Sequence, residues 1–247
     1  HNGVDQKMIV IPARLASTRF KNKILCEFGG VPMFIKTAQN AAKADRVLIA
    51  VDEPQILKIA QDYGFDAVLT AREHQSGTDR IAEAVANAAL AEDEIIINIQ
   101  ADEPFFESEN LIKFKDFANA MIAQKGAFMA SCYKYISPQA AEDPNLVKLV
   151  LDNAGFAIYF SRSLIPYPRA ACECYLGHIG IYAYSVRNLK RFCALPASAL
   201  EDTEKLEQLR AISAGEKIAM LGIETESIGI DTPADYERAL KEFGNGN

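Results

Sequence analysis

The sequence is poor in the residues from which metal clusters and disulfide frameworks are built. Only three histidines occur, at positions 1, 74 and 178, and the five cysteines (Cys26, Cys132, Cys172, Cys174, Cys193) form no CxxC pair. Cys172 and Cys174 make a C-x-C, but no second pair completes a metal set, so a structural zinc site and a disulfide scaffold are both disfavoured. Reduced thiols and a cytoplasmic protein are the expectation. No apolar run approaches the ~20 residues that span a bilayer, which leaves no segment for membrane insertion. The opening HNGVDQK is polar, unlike a secretory leader. Residues 1–7 are expected to be foreign to the natural chain, with Met8 as its start. Positive charge is not in excess either: 26 Lys and Arg face 33 Asp and Glu, a net charge of −7. That balance argues against nucleic acid or an anionic membrane as partner. An anionic ligand must therefore be met by a local basic cluster. The G-x-x-x-x-G-K phosphate loop is missing, and no Ser–His–Asp or Cys–His arrangement suggests a protein nucleophile.

What is present is an ordinary globular composition, 49% hydrophobic and 24% charged over 247 residues, enough for one large α/β domain or a domain with a smaller lobe. Apolar runs at 8–11, 46–51, 65–69 and 94–99 read as buried strands. Helical patterns at 32–43, 54–63 and 78–91 alternate with them. That alternation predicts a mostly parallel sheet covered on both faces. Beyond Asp102 the pattern changes. A helix is expected over 108–123, a strand over 128–135, and an antiparallel hairpin from 146–151 and 156–160 around Asp152-Asn153-Ala154-Gly155. A strand at 178–184, a helix at 201–213, short strands at 217–222 and 227–230, and a last helix opened by Thr232-Pro233 complete the reading.

Ligands of open parallel sheets bind beyond the carboxyl ends of the strands. The segment leaving the first strand carries Arg14, Ser17, Thr18, Arg19, Lys21 and Lys23 and no acid. Arginine forks onto phosphate oxygens and lysine adds a compact charge, so this loop is the candidate phosphate site. Ser76-Gly77-Thr78 with Arg80 opens a helix, which suits either a plain cap or an anion. Asp102, in Gln100-Ala101-Asp102-Glu103-Pro104, follows a strand directly and is a candidate magnesium ligand or an acidic turn. Asp231 is open to the same two readings, ligand or helix cap. His178 on an apolar strand is more often structural than catalytic. Arg162 reads as an ordinary strand-end arginine, and residues 205–210 read as an amphipathic helix.

Read together and in order, seven segments resemble the 3-deoxy-manno-octulosonate cytidylyltransferase (CMP-Kdo synthetase) family. They are Ile11-Pro12-Ala13-Arg14 with Ser17-Thr18-Arg19, His74 to Arg80 (HQSGTDR), Gln100 to Pro104, Tyr159 to Arg162, His178 to Tyr182, Leu206 to Arg210, and Gly229 to Pro233. The resemblance runs from residue 8 to about 243. It implies a Rossmann-like nucleotide-diphospho-sugar transferase fold, with a mostly parallel central sheet and a smaller mixed-sheet lobe. It also implies one nucleotidyltransferase domain over 8–247, with a nucleotide half at about 8–125, a sugar-binding and dimerisation half at about 126–230, and a closing helix at 233–243. The implied reaction moves CMP from CTP to the anomeric hydroxyl of 3-deoxy-D-manno-octulosonate (Kdo), releasing pyrophosphate and feeding lipopolysaccharide synthesis.

Carried over motif by motif, Arg14, Ser17, Arg19 and Lys23 would face the CTP phosphates. Ser76, Gly77, Arg80 and Gln100 would lie at the nucleotide. Asp102 and Asp231 would hold Mg2+. Arg162, His178, Tyr182, Glu207 and Gln208 would form the Kdo pocket, with Arg162 and His178 neutralising the sugar carboxylate. A cytoplasmic homodimer is implied. The chain departs from the family at Phe20-Lys21-Asn22-Lys23-Ile24, where Leu-Pro-Gly-Lys-Pro is usual, and at Ala101, where Gly is usual. Competing readings are a cytidylyltransferase for sialic acid or 8-amino-Kdo, and a nucleotide-binding homologue without turnover.

Overall fold

A computed structural model describes residues 7–244. The expectation for residues 1–7 therefore falls, Lys7 apart, outside the described part of the chain. The chain divides into two compact units. One comprises residues up to Lys113 and from Thr225 onward, the other Phe114–Glu224.

The first unit begins with β1 (Lys7–Ala13), followed by a small antiparallel ribbon, β2 (Glu27–Phe28) and β3 (Val31–Pro32), and by α1 (Met33–Ala41). Strands and helices then alternate: β4 (Val47–Val51), α2 (Pro54–Asp62), β5 (Asp66–Leu69), α3 (Gly77–Asn87) and β6 (Ile95–Asn98). Within this unit β6, β1, β4 and β5 lie side by side in that order, every pair parallel. β4 and β6 are buried at every position, as strands covered on both faces must be. Parallel pairing turns the loops after β1 and β6 to one edge, the edge where the candidate residues were sought. Each helix starts where the sequence signals it. Pro54 sits in the first turn of α2, and the Ser76 hydroxyl accepts the Asp79 N–H at the head of α3. α3 stops at Asn87 rather than 91, because the chain turns left-handed at Ala89 (φ 51°).

α4 (Ser108–Ala118) carries the chain across the division, and residues Asn119–Gln124 widen into a π-helix where a continuous helix was expected. In the second unit come β7 (Met129–Ile136), the short α5 (Pro138–Ala141), β8 (Lys148–Leu151), β9 (Ala157–Ser161), β10 (Tyr175–Ser185), α6 (Val186–Ala194), α7 (Ala199–Glu204), α8 (Leu209–Ser213) and β11 (Ile218–Gly222). β7 pairs parallel with β11 and antiparallel with β10, while β8 pairs antiparallel with both β10 and β9. The β8–β9 hairpin closes as expected. The Asp152 carboxylate accepts the N–H groups of Ala154 and Phe156, and Gly155 takes φ 85°.

Three departures from the sequence reading follow. Residues 201–213 form two helices, not one, because Lys205 turns left-handed (φ 54°) and Arg162 takes the carbonyls of Glu204 and Lys205. α6 has no counterpart in the sequence reading, although Ser185 caps it by accepting the Asn188 N–H. Residues 227–230 form no strand. Their neighbourhood is held by carboxylates instead: Glu107 accepts from Thr225 Oγ1 and Glu226 N, and Glu103 accepts from Ser227 Oγ. The chain ends, back in the first unit, in α9 (Pro233–Phe243), with a full Thr232–Asp235 capping box and Pro233 in the first turn.

Candidate active site

In the first unit a cavity of about 400 Å³ opens at the carboxyl ends of β1 and β6. Arg14, Ser17, Arg19 and Lys23 from the basic loop line it, together with Gln100, Asp102 and Asp231. Seven residues singled out from three separate stretches of sequence therefore share one wall. Pro12, Ala16, Thr18, Ile24 and Ala101 complete the lining; none of them was assigned a role from the sequence, though Pro12, Thr18 and Ala101 lie within the motifs.

The basic loop is held at both ends. The Asp52 carboxylate, just beyond β4, accepts the Leu15 N–H at 3.1 Å. At the far end Asn22 adopts the left-handed conformation (φ 53°, ψ 32°) and leads into the 3-10 turn Lys23–Leu25. Asparagine is the non-glycine residue best suited to that region. Asn22 thus supplies the backbone freedom that the family's glycine would supply, and Lys23 stays in place. Phe20 packs against Tyr236 of α9 (centroids 5.9 Å apart) within a cluster around Phe28, Met33 and Ile230. Ala101 causes no strain, because it is not among the residues of positive φ. Its carbonyl accepts the Thr37 hydroxyl of α1 at 2.8 Å.

The two acids are brought together by the backbone. The Ile230 N–H donates to the Asp102 carbonyl at 3.0 Å, which lays Asp231 beside Asp102. Thr232, not Asp231, caps α9, and the Asp231 carboxylate is left to face Lys23. Lys23 Nζ lies 2.8 Å from Asp102 Oδ2 and 3.6 Å from Asp231 Oδ1. Burial pushes the Asp102 carboxyl above its usual range, and the nearby Asp231 charge pushes the same way, against the pull of Lys23. Two carboxylates against one ammonium leave the trio one negative charge in excess. A divalent cation would turn that into one positive charge, the sign a triphosphate requires. No group of three or more His, Cys, Asp or Glu suited to a metal occurs among the described residues. A cation here would have two carboxylate ligands, with water and phosphate oxygens completing the shell. That is the way Mg2+ is commonly held in nucleotide enzymes. The residues present fit it.

Gly77 lies against this wall. A Cβ at Gly77 would come 3.3 Å from Pro12 Cγ, a tight approach, and 3.7 Å from Gln100 Oε1, an ordinary contact, so a side chain would press on Pro12. Ser76 is engaged in capping α3. Arg80 is not part of the lining. It is buried, and its Nη1 donates to Thr70 Oγ1 (2.6 Å) and the Ala71 carbonyl (3.0 Å).

The second unit gathers the remaining candidates. His178 and Tyr182 lie on β10 with ring centroids 5.5 Å apart, across an irregularity in pairing between Ile179 and Tyr182 that inserts extra residues opposite β7. Such bulges re-aim side chains. The Ser131 hydroxyl faces the Ile181 carbonyl at 2.7 Å and His178 Nε2 at 2.8 Å. A hydroxyl has one proton, and the carbonyl can only accept it, so His178 Nε2 must donate to Ser131. His178 Nδ1 is then the acceptor for the Gln208 amide at 3.4 Å. The imidazole is a neutral link in a one-way chain of donors. Burial lowers its pKa to about 3. The expectation that His178 neutralises a carboxylate by its charge is thereby corrected: at neutral pH it offers shape and hydrogen bonding only. Burial likewise raises the Tyr182 phenol, with the Glu207 charge adding to the effect.

Arg162 gives three of its side-chain donors to the backbone carbonyls of Glu204, Pro144 and Lys205. Glu204 and Lys148, which no motif singled out, complete this cluster. The one signal for Lys148 was a lysine inside the otherwise apolar strand KLVL.

Residues 8–218 match the cytidylyltransferase family. The 3-deoxy-manno-octulosonate cytidylyltransferase of Wolinella succinogenes is 51% identical over 243 residues, covering 96% of this chain and 100% of that protein. The protein of the same name from a Nitratiruptor species is 50% identical, covering 96% and 99%. Among solved structures, CMP:2-keto-3-deoxy-manno-octonic acid synthetase complexed with CTP superposes with a TM-score of 0.89 at 36% identity, covering 96% of this chain and 98% of that one. With matches of this length and identity, the chain belongs to the 3-deoxy-manno-octulosonate cytidylyltransferase family.

Proposed function

We propose that this protein transfers CMP from CTP to the anomeric hydroxyl of Kdo, releasing pyrophosphate and giving CMP-Kdo for lipopolysaccharide synthesis, with the cavity around Lys23 as its nucleotide site. One observation carries the residue assignment. Arg14, Ser17, Arg19 and Lys23 line a single cavity together with Asp102 and Asp231 at the carboxyl edge of a parallel sheet. Its relatives' names and the CTP complex of a related synthetase support the choice of nucleotide and sugar.

Nucleotidyl transfer needs no protein nucleophile. The sugar oxygen attacks the α-phosphorus in line, the bond to the bridging oxygen breaks, and pyrophosphate leaves with the electron pair. The hydroxyl proton passes to solvent. Catalysis is then positioning and charge neutralisation. Arg14 forks onto phosphate oxygens, and Ser17 and Arg19 add donors along the same loop. Lys23 exchanges its acids for the departing pyrophosphate, a short swing for an ammonium on a flexible stem. Gln100, beside Gly77, meets the base or ribose. Asp102 and Asp231 would hold magnesium, which would supply positive charge for the phosphates and lower the pKa of the sugar hydroxyl. In the second unit Arg162 takes the Kdo carboxylate, while neutral His178, Tyr182, Glu207 and Gln208 contact the sugar hydroxyls.

The same proposal includes a homodimer in the cytoplasm. No two of the five cysteines are paired, and no helix among the described residues is long and apolar enough to cross a membrane. Pyrophosphate release with CTP, magnesium and Kdo, run beside sialic acid and 8-amino-Kdo, tests the reaction. Turnover with Kdo at least tenfold above the other acids is expected, and silence with Kdo would overturn it. Light scattering tests the dimer.

A further inference from the structure

In the second unit two short stretches, the end of β9 and the turn between α7 and α8, hold each other by exchange of side chains and backbone. The Glu204 carboxylate accepts the Arg162 N–H (2.7 Å), the Ser161 hydroxyl (2.7 Å) and the Tyr159 hydroxyl (3.3 Å). In return Arg162 Nε donates to the Glu204 carbonyl (2.7 Å), and its Nη2 to that of Lys205 (3.4 Å). Lys148 closes the arrangement. Fully buried within β8, its ammonium donates to the carbonyls of Arg162 (2.6 Å), Leu146 (2.6 Å) and Asp143 (2.9 Å), so all three protons are used. Residue 162 is thus fixed through its N–H, its carbonyl and its guanidinium.

The turn is fixed as firmly. Lys205 is left-handed, and Arg210 of α8 forks onto Glu201 of α7 at 2.9 and 2.7 Å across it. Directly after the turn come Glu207 and Gln208, and the buried Gln208 amide reaches His178 Nδ1. A buried lysine and a shared carboxylate are an expensive way to join two loops, since each charge must be desolvated and fully hydrogen-bonded. Apolar packing would serve stability alone. What the charges add is direction. They set the place of Arg162 and of the Gln208–His178 pair before any ligand arrives.

We propose that Glu204 and Lys148 are positioning residues for the sugar acid, holding Arg162 and the 204–208 turn as one piece so that Kdo meets a preformed set of donors. This rests on the reading that Arg162, His178 and Gln208 contact Kdo. Neither residue touches substrate, so their loss acts through the others.

The test compares Glu204→Gln, Lys148→Met and Gln208→Ala in the full chain. It uses steady-state kinetics for both substrates and the ring ¹⁵N signals of His178 in the substrate-free enzyme. Glu204→Gln and Lys148→Met are expected to raise KM for Kdo about tenfold, the effect of charge-assisted hydrogen bonds lost from a support, while KM for CTP stays within twofold. Both should shift the His178 Nδ1 signal. If Lys148→Met does not fold, Glu204→Gln decides alone, because glutamine keeps one acceptor oxygen in place. Unchanged KM for Kdo in Glu204→Gln, or equal rises for both substrates, overturns the proposal. Gln208→Ala separates the two layers. If it leaves KM for Kdo unchanged, the reading of the pocket itself fails. If it raises KM while Glu204→Gln does not, only the positioning role fails.

Discussion

Taking the protein from pH 7.5 to pH 5.0 should weaken it through one imidazole more than through any other single group in the second unit. His178 is held neutral: its Nε2–H is given to Ser131, its Nδ1 accepts from Gln208, and burial takes its pKa down to about 3. In the unfolded chain the same ring binds a proton near pH 6.5. A group whose pKa is depressed by folding contributes stability that is complete above its unfolded value and lost as the pH falls toward the folded one. The window here runs from about 6.5 down to about 3. At pH 5.0 the unfolded ring is almost wholly protonated and the folded ring almost wholly neutral. The loss by then is about 2 kcal/mol, at ~1.4 kcal/mol for each pH unit below 6.5. Denaturant midpoints of the natural chain and His178→Gln at both pH values isolate this contribution, since carboxylates common to both proteins cancel. The difference between the two proteins should shrink by about 2 kcal/mol on going to pH 5.0, and the His178 ring signals should show no titration between pH 5 and 8. A constant difference, or a ring midpoint near 6.5, would refute the assigned tautomer and the neutral role.

Further consequences follow at the nucleotide site. Asp102→Asn should lower kcat at least about a hundredfold under saturating magnesium, yet leave the thermal midpoint unchanged or higher, because burial already disfavours that charge; pyrophosphate release and thermal melting read the two effects. Arg14→Ala should raise KM for CTP about tenfold or more, the effect of a lost charge-assisted phosphate contact, with KM for Kdo little changed in the same assay. Asn22→Gly should be neutral in both stability and KM for CTP, whereas Asn22→Val should cost about 1–2 kcal/mol in urea unfolding through its left-handed backbone and raise that KM.

Much of the first unit was legible because its signals are local and repetitive. Continuous apolar runs at Val47–Val51 and Ile95–Asn98 announce parallel strands, and Ser76, Pro54 and Thr232-Pro233 announce helix starts. Once the sheet is parallel, its topology brings the loops after β1 and β6 to the same edge, so Arg14 to Lys23 and Gln100 to Asp102 had to meet. Asp231 is different. Nothing between residues 103 and 230 implies that the chain returns to Asp102, and the bond that fixes it, Ile230 N–H to the Asp102 carbonyl, joins backbone groups that carry no sequence signal.

The second unit was less legible for the same physical reason, carried further. A helix over 201–213 is what propensity and periodicity favour, and the sequence contains no glycine or proline to stop it. It stops at Lys205 because Arg162, some forty positions earlier, competes for the carbonyls of Glu204 and Lys205 that a continuous helix would have used. Propensity differences of a few tenths of a kcal/mol per residue yield to such bonds, since a hydrogen bond from a charged group contributes ~1.5–3 kcal/mol. The bulge in β10 escapes the sequence in the same way. Strict alternation describes where side chains point in a regular strand, and the inserted residues at 180 and 181 break that rule where Ser131 must reach two carbonyls and an imidazole. In both places the departure from the local rule sets the neighbourhood of His178 and Gln208. Local preference was overridden where the sugar acid is proposed to bind, and the groups responsible, Lys148, Arg162 and Glu204, are charged residues whose partners lie far away in sequence.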